Sequence, residues 1–368
     1  MKRILLLIKG LGRGGAEQLL ASSAPYFDRE HFQYEIAYLL PCKDALVGEL
    51  AEAGLPAHCL RGDRSARWTA RLISLVRDRR FDLLHAHSPV PAIAARLGFP
   101  RRTIPPIVYT EHNVWERYHR ATFWANALTF WRNDHVITVS ERVRTSIRYP
   151  APLQRLPMPP IETCYQGIDL SAERAAGDVD GVRAEFGIPA GAPVVGTVAN
   201  FKPGKGHMYL IDAAIQVRDA LPDVRFLLVG QGPLETDVRR RATELDIESS
   251  FVFAGFRDDA QRIMRAFDVV AVPALHDGLS IALLEAMSLG KPAVLTRSGG
   301  NPEVVQDGKQ GFVVPPADPK ALAEGILALL RDEDVRARLG REASRRARDF
   351  DIRSAVRRNE HIYRELLH

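Results

Sequence analysis

Short apolar runs alternate with amphipathic stretches along nearly the whole chain, and this alternation limits the fold more than any other feature. In the first half the runs are Ile4–Ile8, Tyr34–Leu40, Leu83–His85, Ile107–Thr110 and His135–Val139. In the second they are Val194–Val198, Arg225–Val229, Phe251–Phe253, Val269–Val272, Ala293–Leu295 and Phe312–Val314. Helical patterns such as Met208–Leu221, Pro233–Leu245 and Ser280–Leu289 lie between them. Runs this short and continuous suit strands covered on both faces, as parallel sheets require. Alternation with right-handed crossovers then predicts an α/β protein built on doubly wound parallel sheets.

The pattern breaks once. Pro150 to Pro160 is proline-rich and suits neither regular helix nor a central strand, and 171–191 is polar with small residues. The boundary is therefore expected at about 170–190. The 368 residues give each half enough chain to bury its own core. We expect Rossmann-like domains over 1–170 and 171–350, and a terminal helix over 351–368 that packs back on the first. Two facing units of this kind would make a ligand cleft at their strand ends.

Composition removes other classes. Cys42, Cys59 and Cys164 lack Cys-x-x-Cys spacing, which argues against a disulfide framework or zinc site and favours a reducing compartment. The formal charge of +5 favours anionic partners without naming one. The apolar run after Met1-Lys-Arg is too short for a secretory signal, and no stretch approaches a membrane span. The expected location is the cytoplasm, with peripheral contact to the inner membrane face as an extension of that reading.

Three loops after strands carry candidate chemistry. Gly10-Leu-Gly-Arg-Gly-Gly15-Ala-Glu17 contains G-x-G-x-x-G. A dinucleotide site would need an acid at the end of the next strand, and Glu35 lies inside its run instead. The loop reads either as an anion cradle or as a tight strand–helix turn. Asn200-Phe-Lys202-Pro-Gly-Lys205-Gly-His207 offers two lysines, either as point charges for a phosphate or as solvated surface groups. In Asp277-Gly278-Leu279-Ser280 through Glu285, a helix beginning near Ser280 would present backbone N–H groups to a phosphate. Asp277 reads as a site acid or a helix cap. Glu285, on an otherwise apolar helix, reads as a ligand for sugar hydroxyls or as half of an internal salt bridge. His112 follows a strand of the first half. His85 and His87 read as satisfied core or edge residues, and no third ligand suggests a metal site.

Together these segments resemble glycosyltransferase family 4, retaining enzymes of the two-domain GT-B fold. The resemblance rests on Gly14-Gly-Ala-Glu17, Phe81 to His87, His112-Asn, Val139-Ser-Glu141 and Tyr165-Gln-Gly-Ile-Asp169. In the second half it rests on Lys205-Gly-His207, Gly255 to Asp259, Asp277 to Met287 and Gly299 to Val304. It implies a nucleotide-diphosphate sugar donor, UDP-sugar favoured, held mainly by the second domain. Glu285 and Asp277 match the two acids of the family's E-x7-E motif, for the ribose and the transferred sugar. Lys205 would hold the diphosphate with Lys202 and Asn200 beside it. Gly14 and Gly15 would offer N–H groups to the distal phosphate, and Gly278, Leu279 and Ser280 would line the donor. Phe253 and Arg257 would flank the base. His112 would lie near the sugar, with Glu17, Trp115 and Arg117 on the acceptor side.

The resemblance also implies hexosyl transfer to a polysaccharide or lipid-linked glycan, as in lipopolysaccharide assembly. No metal and no cofactor beyond the donor are expected, and no nucleic acid partner. This chain departs from the family at Asp277 (usually glutamate), at Asn200 (often arginine) and at Gln166 (usually asparagine). Arg64, Arg67, Arg71, Arg77, Arg79 and Arg80 around Trp68, Leu72, Leu75 and Val76 read either as an interfacial membrane helix or as an ordinary surface helix. The arginine-rich tail 331–368 reads as one long helical pattern. Two other functions compete: a non-catalytic nucleotide-sugar binding protein, and a nicotinamide-dependent oxidoreductase, which leaves Lys205 and Glu285 unexplained.

Overall fold

The computed structural model describes residues 1–61, 68–100, 103–171 and 178–368. The chain forms two units, Met1–Gly167 with Ile352–His368, and Ile168–Asp351. The first unit carries β1 (Lys2–Ile8), β2 (Phe32–Tyr38), β3 (Ala57–Cys59), β4 (Leu83–Ala86), β5 (Ile107–Glu111), β6 (His135–Thr138) and β7 (Ile161–Thr163). They form a seven-stranded sheet in the order β3-β2-β1-β4-β5-β6-β7, parallel at every pairing. Ile4, Leu5, Leu6 and Leu7 are all buried, because β1 is central and covered on both faces. The short strands β3 and β7 have no legible periodicity. Both are edge strands, and β7 follows the proline-rich stretch directly, where a missing N–H costs the ladder little.

The second unit carries β8 (Val194–Val198), β9 (Arg225–Val229), β10 (Phe251–Gly255), β11 (Val269–Val272), β12 (Ala293–Thr296) and β13 (Gly311–Val314). Its six-stranded parallel sheet has the order β10-β9-β8-β11-β12-β13. In each unit the carboxyl ends of all strands share one edge, and the candidate loops follow those ends.

The tail departs from a single helix. It forms Glu333–Ala347 and Ile352–Leu367, broken at Arg348–Asp351. No proline or glycine marks the break; tertiary contact makes it. Phe350 is buried, its carbonyl accepts Ile168 N–H at 2.8 Å, and Asp351 bridges Ile168. The last helix belongs to the first unit. Ile352, Val356, Ile362 and Tyr363 are buried, Glu360 accepts from Tyr34 Oη at 2.8 Å, and Arg364 pairs with Asp28 at 2.7 Å.

Of the two readings of the arginine-rich helix, the packing fits the ordinary surface helix. Arg64 and Arg67 lie outside the described residues. The helix Trp68–Arg79 buries Leu72 and Val76 in the first unit's core, with Trp68 and Leu75 packed on the same cluster. Its apolar side is therefore occupied by protein. Among the described residues no helix is long and apolar enough to cross a membrane.

Candidate active site

The second unit assembles its site from loops at one sheet edge. β8 runs into Ala199–Lys205, and Gly206 takes a left-handed conformation (φ 75°) before the helix His207–Ala220. A β-carbon on Gly206 would stand 1.8 Å from the Pro273 carbonyl oxygen. The loop after β8 therefore presses directly on the loop after β11, a contact only glycine permits. This brings Lys205 Nζ to 2.7 Å from Asp277 Oδ2. Asp277 Oδ1 also accepts the Gly278 N–H at 3.0 Å. Lys205, Asp277 and Ser280 line a small cavity with Thr197, Ala199 and Pro273.

The helix Ile281–Ser288 starts where the sequence places it. Ser280 caps it, its hydroxyl accepting Leu283 N–H at 3.3 Å, and the Ser280 N–H donates to Asn301 Oδ1 at 2.9 Å. Leu279 is buried beneath this turn. Gly299 (φ 59°) closes the site from the β12 side, since a β-carbon there would meet the Asp277 carbonyl oxygen at 1.6 Å. Glu285, in the helix, accepts from Gln261 Nε2 at 2.9 Å. Burial raises its pKa above the ordinary carboxylate value, with the Gln261 bond opposing. Its second oxygen accepts no hydrogen bond among the described residues, so the group is poised to take hydroxyl donors.

Other predicted donor residues spread further. Lys202 is exposed without an ion pair among the described residues, and the Asn200 carbonyl accepts its N–H at 2.8 Å. Phe253 lies beneath the Arg239 guanidinium at 4.0 Å and is stacked 6.1 Å from Phe201. Arg257 is committed to carboxylates, gripping Asp259 with two nitrogens at 2.8 and 2.9 Å and Glu185 at 2.7 Å. The hydrogen bond from Arg257 holds Asp259 down at about 2, against the opposing effect of burial. Asp178, in the Asp178-x-Asp180 pair, caps the helix Val179–Glu185 by accepting Gly181 N–H at 2.9 Å. Behind Lys205, His207 stacks on Phe201 at 4.2 Å. Its ring nitrogens are buried without a well-formed hydrogen bond among the described residues.

In the first unit, Gly14 N-caps the helix Gly15–Ser23. Glu17 folds back over it: a β-carbon on Gly14 would lie 2.4 Å from Glu17 Oε2. The carboxylate thus sits at the helix N-terminus, where an anion would otherwise be favoured. Gly15 is exposed with open space around it. His112 directly follows β5. Gln166 Nε2 lies 2.9 Å from its Nδ1, and His87 Nδ1 lies 3.4 Å from its Nε2. Burial lowers His112 to about 4 and, with Coulombic repulsion from His112, His85 to about 3. His85 is a satisfied core residue, bonded to Thr110 Oγ1 at 2.7 Å and to Tyr363 Oη. Glu35 is spent structurally on Arg3 at 2.6 Å and His58 at 2.7 Å, which accounts for the acid inside β2.

Trp115 does not face an acceptor. It is 1% exposed, inside the core cluster, and donates Nε1–H to Glu111 Oε2 at 3.0 Å. Arg117, two residues on, is exposed. The residue that the sequence reading missed here is Glu111. This buried carboxylate accepts from Tyr109 Oη at 2.8 Å, Asn113 N–H at 3.2 Å, Trp115 and Tyr118 Oη. Burial raises its pKa, and those four donors oppose the shift. The only signal in sequence was an acid between Thr110 and His112, at the end of an apolar strand. Among the described residues no cluster of three or more His, Cys, Asp or Glu could hold a metal ion.

Comparison with known proteins adds the family. The family model described as Glycosyltransferase Family 4 matches residues 7–172, and that described as Glycosyl transferases group 1 matches residues 178–346. A D-inositol 3-phosphate glycosyltransferase of Corynebacterium efficiens is 32% identical over 207 residues, 54% of this chain and 47% of that protein. The Escherichia coli UDP-Gal:alpha-D-GlcNAc-diphosphoundecaprenol alpha-1,3-galactosyltransferase is 23% identical over 281 residues, 71% of this chain and 70% of the relative. In fold, the chain is similar to Anabaena Alr3699/HepE, crystallised with UDP-glucose. That likeness has a TM-score of 0.86 at 24% identity, over 99% of this chain and 100% of the other. With two parallel-sheet units of GT-B type and the two family models together matching nearly its whole length, the chain belongs to the group 1, family 4 glycosyltransferases.

Proposed function

We propose that this glycosyltransferase moves a hexosyl group from a nucleotide-diphosphate sugar, UDP-sugar favoured, to a glycan or lipid-linked acceptor with retained anomeric configuration. One observation carries the reading: Lys205 and Asp277 meet at 2.7 Å beside the capped helix that bears Glu285. A cation, an acid and a helix N-terminus in one pocket suit a diphosphate attached to a hydroxyl-rich group. The E. coli relative, named for a UDP-galactose donor and a diphosphoundecaprenol-linked acceptor, supports the same substrate classes.

In this reading Lys205 neutralises the departing diphosphate, with Lys202 and backbone N–H groups adding to it. Asp277 contacts the transferred sugar and Glu285 the ribose hydroxyls. The bond from the anomeric carbon to the phosphate oxygen breaks, and a bond to the acceptor oxygen forms. The acceptor proton leaves with the nucleoside diphosphate. Charge stabilisation by preset donors would supply the main rate term. His112 faces the transferred sugar, Gly14 and Gly15 offer N–H groups to the distal phosphate, and Arg117 serves the acceptor side. No cofactor besides the donor is part of the proposal, and association with an anionic membrane surface would follow from a lipid-linked acceptor.

A thermal-shift and calorimetric screen across nucleoside diphosphates tests it. Binding of at least one, weakened in Lys205→Ala and Glu285→Ala, is the expected result. Stabilisation by NAD with no response to any nucleoside diphosphate would favour the oxidoreductase.

A further inference from the structure

We propose that Gln166 is a positioning residue that fixes His112 as the tautomer protonated at Nε2, leaving Nδ1 as an acceptor. Gln166 lies just beyond β7, is 8% exposed, and sets its amide nitrogen 2.9 Å from His112 Nδ1. An amide nitrogen only donates, so Nδ1 must carry the lone pair, and the single proton of a neutral imidazole then resides on Nε2. The ring is neutral across the working pH range because burial holds its pKa near 4.

The groups around the ring agree. Glu111 is next to His112 in the chain, but its carboxylate is taken up by Tyr109, Asn113, Trp115 and Tyr118. No described carboxylate pairs with the imidazole. On its other side, Nε2 lies 3.4 Å from His87 Nδ1, a long and weak contact. That proton is held loosely enough to be redirected to an oxygen of a bound sugar. The His87 ring in turn lies tilted against His85 with centroids 4.1 Å apart, and His85 is fixed by Thr110 and Tyr363. Among the described residues Gln166 thus makes the one strong hydrogen bond that sets which way this ring points its proton. Its value for transfer rests on the proposed function; the tautomer does not.

The test is a two-bond 1H–15N correlation spectrum of the full chain with labelled histidine, the His112 signal being identified by its loss in His112→Gln. The wild type is expected to show Nε2 protonated and Nδ1 bare between pH 6 and 8. Gln166→Leu should give a tautomer mixture and roughly tenfold slower donor turnover with donor KM little changed, the effect of one lost hydrogen bond. Gln166→Glu should accept from Nδ1–H, reverse the tautomer and raise the titration midpoint. A wild-type ring protonated at Nδ1, or a tautomer unmoved by either substitution, would overturn the proposal. Tautomers that shift as expected while turnover stays constant would uphold the positioning and sink the reading of His112 as a group facing the sugar.

Discussion

Lys205 Nζ and Asp277 Oδ2 stand 2.7 Å apart, and the two residues come from loops after different strands, β8 and β11. The pair is partly exposed, so it contributes little to stability, while each partner presets the other for a ligand carrying both phosphate and hydroxyl groups. Lys205→Ala should therefore change folding stability by under about 1 kcal/mol. It should weaken nucleotide-sugar binding by roughly 10–100-fold, the loss of one charge-assisted contact. Calorimetry alongside urea unfolding reads both quantities.

Gly299 tests the same site from its backbone. Its φ is 59°, and a β-carbon there would come within 1.6 Å of the Asp277 carbonyl oxygen, so alanine must push Asp277 away. Gly299→Ala should cost about 2–4 kcal/mol through strain and displacement. Donor affinity should fall with it. Gly15→Ala, with open space around the position, should cost much less, and thermal melts of the two variants compare them.

Glu111 collects four donors, and among the described residues no basic group pairs with it. Glu111→Gln turns half of that acceptor into a donor facing other donors. The expected loss is about 1–3 kcal/mol, with slower turnover because the chain from His112 to Tyr118 loses its anchor. Urea unfolding of the variant, compared with Tyr118→Phe, measures it.

These cases show what a sequence can carry. The unbroken Ile-Leu-Leu-Leu-Ile of β1 reveals a central parallel strand, because burial on both faces leaves no room for polar alternation. That Lys205 and Asp277 stand in loops after strands is legible because the apolar runs before them mark β8 and β11. Trp115 is not, since nothing in its neighbours tells an inward indole from an exposed one until Glu111 is seen accepting its N–H. Arg257, expected to flank a base, is likewise not legible, since Glu185 from a distant helix joins the neighbouring Asp259 in holding it. The tail break at Arg348–Asp351 is invisible because Ile168, far away in sequence, makes it.

Acid stability follows from the histidines. His85, His112 and His207 have pKa values lowered to about 3, 4 and 4, chiefly by burial. Below pH about 6.5 the unfolded chain binds protons that the folded chain refuses. Stability should therefore be full above that pH and fall steadily as pH drops toward 4. His207→Phe keeps the stack on Phe201 and removes two poorly satisfied nitrogens, so it should flatten this slope with little loss at pH 7.5. Denaturant unfolding at several pH values decides it; a slope identical to wild type would contradict the assignment.

The central claim is that this chain cleaves the sugar–phosphate bond of a nucleotide-diphosphate sugar at the Lys205–Asp277 pair. Time-resolved 1H and 31P NMR of purified protein with UDP-sugars tests it most directly, since slow transfer to water needs no knowledge of the acceptor. The account predicts release of nucleoside diphosphate and of sugar with the donor's own anomeric configuration, at a rate collapsing in Lys205→Ala and Asp277→Ala while both variants stay folded. Release of the opposite anomer, or release unchanged in both variants, would contradict it.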